Sequence, residues 1–135
     1  MITADHGMVD VDRSQRWDVG TDAALGAGVA LVAGEPRALH LHLEPGADAT
    51  RVADRWRDTL GSAAVVVTRD EAMSDAWFGD VAEHVLPVIG DVVVAMTGRA
   101  TVVDSRTQTP GSMDLVGVHG SLTRHEMLVP CLVVA

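Results

Sequence analysis

The sequence contains no lysine and no tyrosine, and aromatic residues make up only 3% of it. All ten basic residues are therefore arginines, and nineteen acidic residues bring the formal net charge to −9. A chain this acidic repels phosphate polymers and anionic lipid surfaces. We therefore expect neither a nucleic-acid polymer nor a membrane among its partners.

Cysteine and long apolar runs are also scarce. Cys131 is the only cysteine, which excludes an internal disulfide and favours a reducing compartment. No apolar run reaches the ~20 residues of a membrane-spanning helix, and the first residues lack the basic segment of a secretion signal. These absences predict a cytoplasmic location. The 135 residues are 47% hydrophobic, which is enough for one globular domain with a buried core.

Apolar periodicity predicts an α/β fold in the order strand, hairpin, helix, strand, short helix, two strands, loop and strand. Residues 28–33 and 38–43 flank a group of turn residues, which predicts a hairpin. Asp48 is a suitable N-cap for the helix that follows, because apolar residues then recur at helical spacing. Valine-rich runs at 63–67 and 91–97 predict buried strands.

Other local patterns give further expectations. Thr68 with Glu71, and Thr123 with Glu126, have the spacing of a capping box and predict two short helices. Residues 9–27 are polar and contain several glycines, so they are expected to be mostly loop.

The histidines and the cysteine in predicted strands are candidates for chemistry. His40 and His42 alternate with leucines, which predicts the polar face of an amphipathic strand, with an H-x-H metal site as the alternative. Cys131 lies in an apolar run near the C-terminus and is expected to be a small buried hydrophobic residue.

The strongest chemical pattern lies among the first residues. Asp5 and His6 are adjacent where a short strand is expected to end, and Gly7 allows the backbone to turn away tightly. A carboxylate oxygen beside an imidazole nitrogen suits a divalent ion, zinc above all. A surface aspartate next to a histidine is the alternative, and for the dipeptide alone it is the better interpretation.

Two longer motifs favour the metal-binding interpretation of Asp5 and His6. Residues 3–8, TADHGM, resemble the metal-binding motif of the alkaline phosphatase superfamily in its type I phosphodiesterase / nucleotide pyrophosphatase branch. Residues 117–120, GVHG, resemble the late His-Gly element of the same family. The resemblance implies that Asp5 and His6 bind one of two divalent ions and that His119 binds the other, with zinc as the expected metal.

The activity implied by this resemblance is two-metal phosphoryl transfer. One ion would lower the pKa of a nucleophilic hydroxyl, and the other would stabilise the leaving oxygen. The implied substrates are phosphate diesters, monoesters and pyrophosphates, including nucleotide-like small molecules. In this family the threonine or serine nucleophile precedes the Asp-His motif, so we predict no catalytic nucleophile within this chain.

The resemblance also predicts that the chain is a fragment, the C-terminal part of an alkaline-phosphatase-like sheet. Residues 1–135 would form a single partial domain, in which 1–8 and 117–135 carry the metal ligands and 28–103 form an inserted α+β subdomain. Two ligands on one ion and one on the other predict weak metal binding and no hydrolase activity for the chain alone. Strands without partners would favour self-association through open sheet edges.

Two other interpretations stay open on the sequence. The chain could be a non-catalytic α/β binding domain in which the Asp-His-Gly motif is coincidental. It could also be a relative of the cofactor-independent phosphoglycerate mutases, whose similar motif usually has asparagine where this chain has Met8. The hydrolase interpretation requires His6 and His119 to meet beside one cleft.

Overall fold

Helices and strands are mixed along the chain in the computed structural model, which describes residues 1–134. The strands are β1 (Ile2–Thr3), β2 (Val9–Asp10), β3 (Arg16–Asp18), β4 (Val29–Glu35), β5 (Ala38–Leu43), β6 (Ala64–Thr68), β7 (Val92–Met96), β8 (Thr101–Val103), β9 (Gly117–Val118) and β10 (Cys131–Leu132). The α-helices are α1 (Ala23–Gly26), α2 (Ala49–Leu60), α3 (Arg69–Ser74), α4 (Pro110–Met113) and α5 (Arg124–Met127). Short 3₁₀ helices are formed by Arg13–Gln15, Gly61–Ala63 and Glu83–Val88.

The main sheet has four antiparallel strands in the order β4–β5–β7–β6. All five residues of β7 are buried, as expected for an inner strand with a layer on each face. On one face, Leu41 and Val94 belong to the same buried cluster as Trp56 of α2. Trp56 has no exposed surface, and its indole N–H donates a hydrogen bond to the carbonyl oxygen of Leu25 at 3.1 Å. The largest apolar side chain of the core is therefore buried with its polar atom satisfied.

Helix α2 has a capped start, a buried apolar face and a glycine at its end, and each of these favours a helix over the same residues. The Asp48 carboxylate accepts hydrogen bonds from the backbone N–H groups of Thr50 and Arg51. Gly61 ends the helix with a φ of +52°, a conformation that costs glycine little. The residues that α2 buries are Val52, Ala53, Trp56 and Leu60. The predicted hairpin, this helix and the strands on either side of α3 are all confirmed.

The other face of the sheet is covered by chain that follows α3. Ala72, Ile89 and Val93 form a second buried cluster there, against which Trp77 packs. His40 lies on this face and is half-buried, with its Nδ1 atom accepting a hydrogen bond from the Gly90 N–H at 3.1 Å. His40 therefore lies on the face of β5 opposite Leu39 and Leu41, as predicted, but residues after α3 fold back over the strand and leave it half-buried.

Short strand pairs lie outside the main sheet. Strand β3 pairs in parallel with β8, and β2 and β1 pair antiparallel with β9 and β10. The prediction of mostly loop for residues 9–27 missed β3 and α1, although Asp22 caps α1 in the usual way. Strand β3 has only three residues and is defined by a partner far along the chain, so periodicity does not reveal it.

The structure contradicts the prediction for Cys131, which lies on β10. Cys131 is exposed, contrary to the expectation of a buried hydrophobic residue. Among the described residues, β10 pairs only with β1, and every residue of both strands is exposed, so none of residues 1–134 forms a layer over Cys131. None of the helices within residues 1–134 has the length and apolar character to cross a bilayer.

Candidate metal-binding site

Antiparallel pairing brings the two predicted metal motifs side by side. Val9 of β2 is paired with Val118 of β9, so the residues just before β2 lie close to those just after β9. The rings of His6 and His119 stack, with centroids 3.6 Å apart and planes inclined by 14°. The requirement that the two histidines meet is therefore fulfilled, although they come from opposite ends of the chain.

The His6 ring is oriented by its own backbone. Its Nδ1 atom lies 2.7 Å from the carbonyl oxygen of Gly7, which can only accept a hydrogen bond. In the tautomer that this bond selects, Nδ1 carries the proton and the lone pair of Nε2 is available to a metal ion. A bond from the other ring nitrogen to a carbonyl is the usual way in which proteins orient a histidine that binds a metal.

Asp5 supplies the second donor at this point. Its Oδ1 atom lies 3.8 Å from Nε2 of His6 and accepts the His6 backbone N–H at 3.0 Å. Two donors on one tetrahedral zinc are separated by about 3.3 Å, and the Asp5 side chain is 89% exposed and free to adjust. The pair therefore fits a single divalent ion.

His119 lies beside the Asp5–His6 pair, with its ring stacked on that of His6. No cluster of three or more His, Cys, Asp or Glu side chains that could hold a metal is present between residues 1 and 134. Asp5, His6 and His119 therefore do not form a closed metal site among the described residues, and their assignment to two ions stays a prediction.

Gly7 is required by a close approach of α5. Its N–H donates to the carbonyl oxygen of Glu126 at 2.7 Å, and a Cβ atom at this position would lie only 1.8 Å from the carbonyl oxygen of His125. No larger residue fits without moving the backbone. Gly7 was predicted to allow a tight turn, but its role in the structure is different. It allows the chain next to His6 to pack against α5.

Sequence reasoning missed the buried ion pair that supports this contact. Arg37 donates to both carboxylate oxygens of Glu126, from Nε at 2.7 Å and from Nη2 at 2.9 Å. Both side chains are almost inaccessible to solvent. Arg37 also donates to the carbonyl oxygen of Ala100 at 2.7 Å, and Glu126 accepts the Ser121 N–H at 3.0 Å. A buried pair with these additional bonds meets the condition under which ionised groups are tolerated in a core.

The Glu126 carboxyl remains ionised in spite of its burial. Desolvation raises its pKa, but the hydrogen bonds from Arg37, Thr123 and Ser121 outweigh this and hold the pKa below its ordinary value. The Glu126 carboxylate accepts the N–H of Ser121, two residues after His119, and the Glu126 backbone carbonyl accepts the N–H of Gly7, which follows His6. Glu126 is therefore hydrogen-bonded to the chain beside both histidines.

No pattern of neighbouring residues predicts the Arg37–Glu126 ion pair. Arg37 lies in what reads as a polar turn, and its partner is 89 residues away. Glu126 was predicted to complete a capping box with Thr123. The short helix α5 is confirmed, but Thr123 makes no side-chain cap, because its hydroxyl is hydrogen-bonded to the Glu126 carboxylate instead.

The remaining histidines lie outside the site. His84 and His125 are exposed, as expected. Nδ1 of His40 accepts a backbone N–H and is not available to a metal, which weakens the alternative of an H-x-H metal site. The candidate site therefore contains the three residues predicted for it, Asp5, His6 and His119.

The chain resembles solved structures of larger hydrolases. The crystal structure of phosphonoacetate hydrolase from Sinorhizobium meliloti 1021, in complex with phosphonoacetate, matches 95% of this chain with a TM-score of 0.65 and 23% identity. Human ectonucleotide pyrophosphatase / phosphodiesterase 5 matches 89% with a TM-score of 0.57 and 14% identity. The chain spans 34% and 29% of these two proteins, about a third of their length. These likenesses confirm the predicted α/β, alkaline-phosphatase-like fold.

No curated protein sequence matches the chain. The sequence model of the family described as type I phosphodiesterase / nucleotide pyrophosphatase matches residues 1–122, which is most of the chain and includes all three predicted ligands. The chain therefore belongs to the type I phosphodiesterase / nucleotide pyrophosphatase family of the alkaline phosphatase superfamily.

Proposed function

We propose that this chain contributes half of the two-metal site of a hydrolase that acts on phosphate esters or anhydrides. The observation that carries the proposal is the stacking of His6 on His119 beside the Asp5 carboxylate. Family membership supports phosphoryl transfer as the reaction class. Phosphate diesters, pyrophosphates and monoesters are the substrate classes that follow from it.

The chain's own residues have distinct tasks in this proposal. Asp5 and His6 hold one divalent ion, zinc by preference, and His119 holds the second. Such ions, when bound, supply Lewis-acid chemistry that activates a hydroxyl and stabilises negative charge on oxygen. Glu126 and Arg37 are positioning residues, because their bonds fix the segments on which the two histidines lie.

The nucleophile is not assigned to either hydroxyl near the site. The Ser121 hydroxyl is buried and donates to the carbonyl oxygen of Met96 at 2.6 Å, so it cannot approach a substrate. The Thr3 hydroxyl is exposed, and its only hydrogen bond among the described residues is a long one, 3.4 Å, to Ala4. We therefore expect the isolated chain to have no hydrolase activity.

Cobalt titration tests the metal assignment directly. Co²⁺ bound to the wild-type chain should give visible absorption bands, with weak affinity because each coordination sphere is incomplete. His6→Ala and His119→Ala should each remove part of the signal, and the double variant should remove all of it. His84→Ala, an exposed histidine outside the site, is the matched control and should leave the titration unchanged. Identical titrations for wild type and the double variant would overturn the proposal.

A second assay separates the hydrolase from the phosphomutase alternative. The complete gene product, loaded with zinc, should hydrolyse bis-p-nitrophenyl phosphate and leave 3-phosphoglycerate unchanged. Isomerisation of 3-phosphoglycerate would favour the mutase relative. Metal binding with no turnover of either substrate would favour a non-catalytic binding domain.

A further inference from the structure

An apolar groove crosses the face of the main sheet opposite α2. Its larger part has a volume of about 600 Å³ and is lined mainly by residues 78–89, with His40 of β5 at its base. A smaller cavity of about 170 Å³ shares His40 and Phe78 with it and is also lined by Gly120. Gly120 directly follows His119 in the sequence. We call the two cavities together the His40 groove, which thus includes the residue next to a predicted metal ligand.

The His40 ring gives this apolar groove a polar atom. Since Nδ1 accepts the Gly90 N–H, the neutral ring has its proton on Nε2. Nothing within residues 1–134 accepts a hydrogen bond from this Nε2–H, and no buried side-chain polar atom there lacks a partner, so Nε2 is accessible from the groove. Burial and, less strongly, the neighbouring His42 lower the pKa of His40 and favour the neutral ring.

The lining favours an uncharged aromatic group as the ligand. The Phe78 ring lies 5.8 Å from the His40 ring at an inclination of 36°, and Trp77 lines the smaller cavity. Asp80 is the only residue of the lining with a permanent charge, and its exposed carboxylate repels an anion. The volume of the larger part lies in the range of about 300–1,000 Å³ that is typical of small-ligand sites.

One wall of the groove can adjust to a ligand. Within the described chain, residues 78–88 form hydrogen bonds only among themselves or with residues up to three positions away. Their contact with the sheet is through apolar side chains such as Val81. A segment held in this way opens at a lower cost than the strands beneath it.

We propose that the His40 groove binds the uncharged, aromatic organic group of a phosphate ester, with His40 Nε2–H donating to an acceptor atom of that group. The ring of the ligand packs against Phe78, and the ester oxygen points towards Gly120, which follows His119. The assignment of the ligand as a phosphate ester rests on the proposed function, but the groove and its preference for a neutral aromatic molecule do not.

The first test uses the metal-free chain and 4-nitrobenzyl alcohol, a neutral aromatic probe with acceptor atoms and no phosphate. Its addition should shift the NMR signals of His40, Phe78 and the Trp77 indole. Phe78→Ala should weaken binding about five-fold, in line with the loss of one aromatic contact. Val88→Trp should block binding by filling the groove, since Val88 lines it and is 70% exposed.

Leu31→Ala is the matched control, because Leu31 is an exposed apolar residue of β4 that does not line the groove. It should bind the probe as the wild type does. Equal binding by wild type, Phe78→Ala and Val88→Trp, or shifts confined to other residues, would overturn the proposal.

The second test uses the zinc-loaded complete protein with phenyl phosphate and inorganic phosphate. Phenyl phosphate should bind more tightly than inorganic phosphate, and Phe78→Ala should remove that advantage without changing the affinity for inorganic phosphate. If 4-nitrobenzyl alcohol binds but neither phenyl phosphate nor inorganic phosphate does, the groove binds aromatic molecules as proposed and the proposed function fails. If both anions bind equally to wild type and variant, the groove proposal fails and the proposed function stands.

Discussion

The main sheet and the two ends of the chain are built in different ways. Residues 29–96 contain every element of five or more residues and most of the buried clusters. The ends, residues 1–10 and 117–134, form two-residue strands and one short helix, yet they contain all three predicted metal ligands. Stability thus resides in one region and the candidate chemistry in the other, and the Arg37–Glu126 pair is the buried link between them.

The ends also differ from the sheet in what they expose. Contiguous patches of exposed apolar side chains are typical of surfaces that bind another surface. Those exposed in the two ends are Met1, Ile2, Met8, Leu122, Met127, Leu128, Val129, Leu132, Val133 and Val134.

The largest effect is expected from a change within the sheet region. Trp56→Ala should lower the free energy of unfolding by about 4 kcal/mol, because it leaves a cavity in the core and an unpaired Leu25 carbonyl. Chemical denaturation monitored by circular dichroism measures this loss. Leu115→Ala, at an exposed position, should change stability by less than about 0.5 kcal/mol. A similar effect of the two variants would contradict the view that stability resides in this region.

A change in the Arg37–Glu126 pair, which links the two regions, should have the second largest effect and should affect both regions. Glu126→Gln leaves the Arg37 charge buried without a counter-charge and should cost about 3 kcal/mol. It should also separate the His6 and His119 rings, which NMR contacts between the two imidazoles would report. Glu83→Gln, at an exposed glutamate, is the control and should change neither quantity. Retention of the imidazole contacts in Glu126→Gln would show that the pair does not position the site.

A change in the ends should cost less and remain local. Gly7→Ala places a Cβ against the His125 carbonyl oxygen and should destabilise by about 2 kcal/mol through displacement of the backbone. Cobalt binding should fall, while the signals of the sheet residues stay in place. Gly111→Ala, where a Cβ meets no atom within 4 Å, should have no such effect. Unchanged cobalt binding in Gly7→Ala would show that metal binding does not depend on the contact between Gly7 and α5.

The exposed apolar surface of the ends predicts self-association. Leu132→Asp should shift the chain towards the monomer in sedimentation velocity, because Leu132 is one of the exposed apolar side chains of the two ends. Leu31→Asp, which alters an exposed leucine of the sheet region, should leave the distribution of species unchanged. A wild-type chain that is monomeric at all concentrations would remove the basis for this expectation.

The smallest effect concerns pH and the sheet region alone. Burial and then His42 lower the pKa of His40 in the folded chain, whereas the unfolded chain has a histidine pKa of about 6.5. Between these two values the unfolded chain binds more protons, so stability rises with pH. The contribution is therefore present above about 6.5 and lost as the pH falls below it. Denaturation at several pH values should show a shallower dependence for His40→Asn.

Local signals explain what could be predicted from the sequence. The cap of α2 and its apolar face act within one helix, and the hairpin turn joins adjacent strands, so short windows of sequence contain the information. The metal ligands were predicted from a resemblance between motifs, since Asp5 and His6 alone do not distinguish a site from a surface.

What was missed depends on contacts between distant residues. Arg37 and Glu126 satisfy each other across the fold, and β3 exists because β8 lies beside it. The burial of His40 depends on where the chain after α3 folds back, and the exposure of Cys131 depends on the absence of a covering layer. None of these properties is encoded in the neighbouring residues.

The pairing of β1 with β10 sets an order of events during folding. Ile2 lies opposite Leu132, so this ribbon closes a loop that includes nearly the whole chain, at a high cost in chain entropy. Neighbouring hairpin strands and α2 meet over much shorter distances and can form first. The sheet can therefore assemble before this ribbon closes. The two imidazoles come together only after the distant strands β2 and β9 have paired.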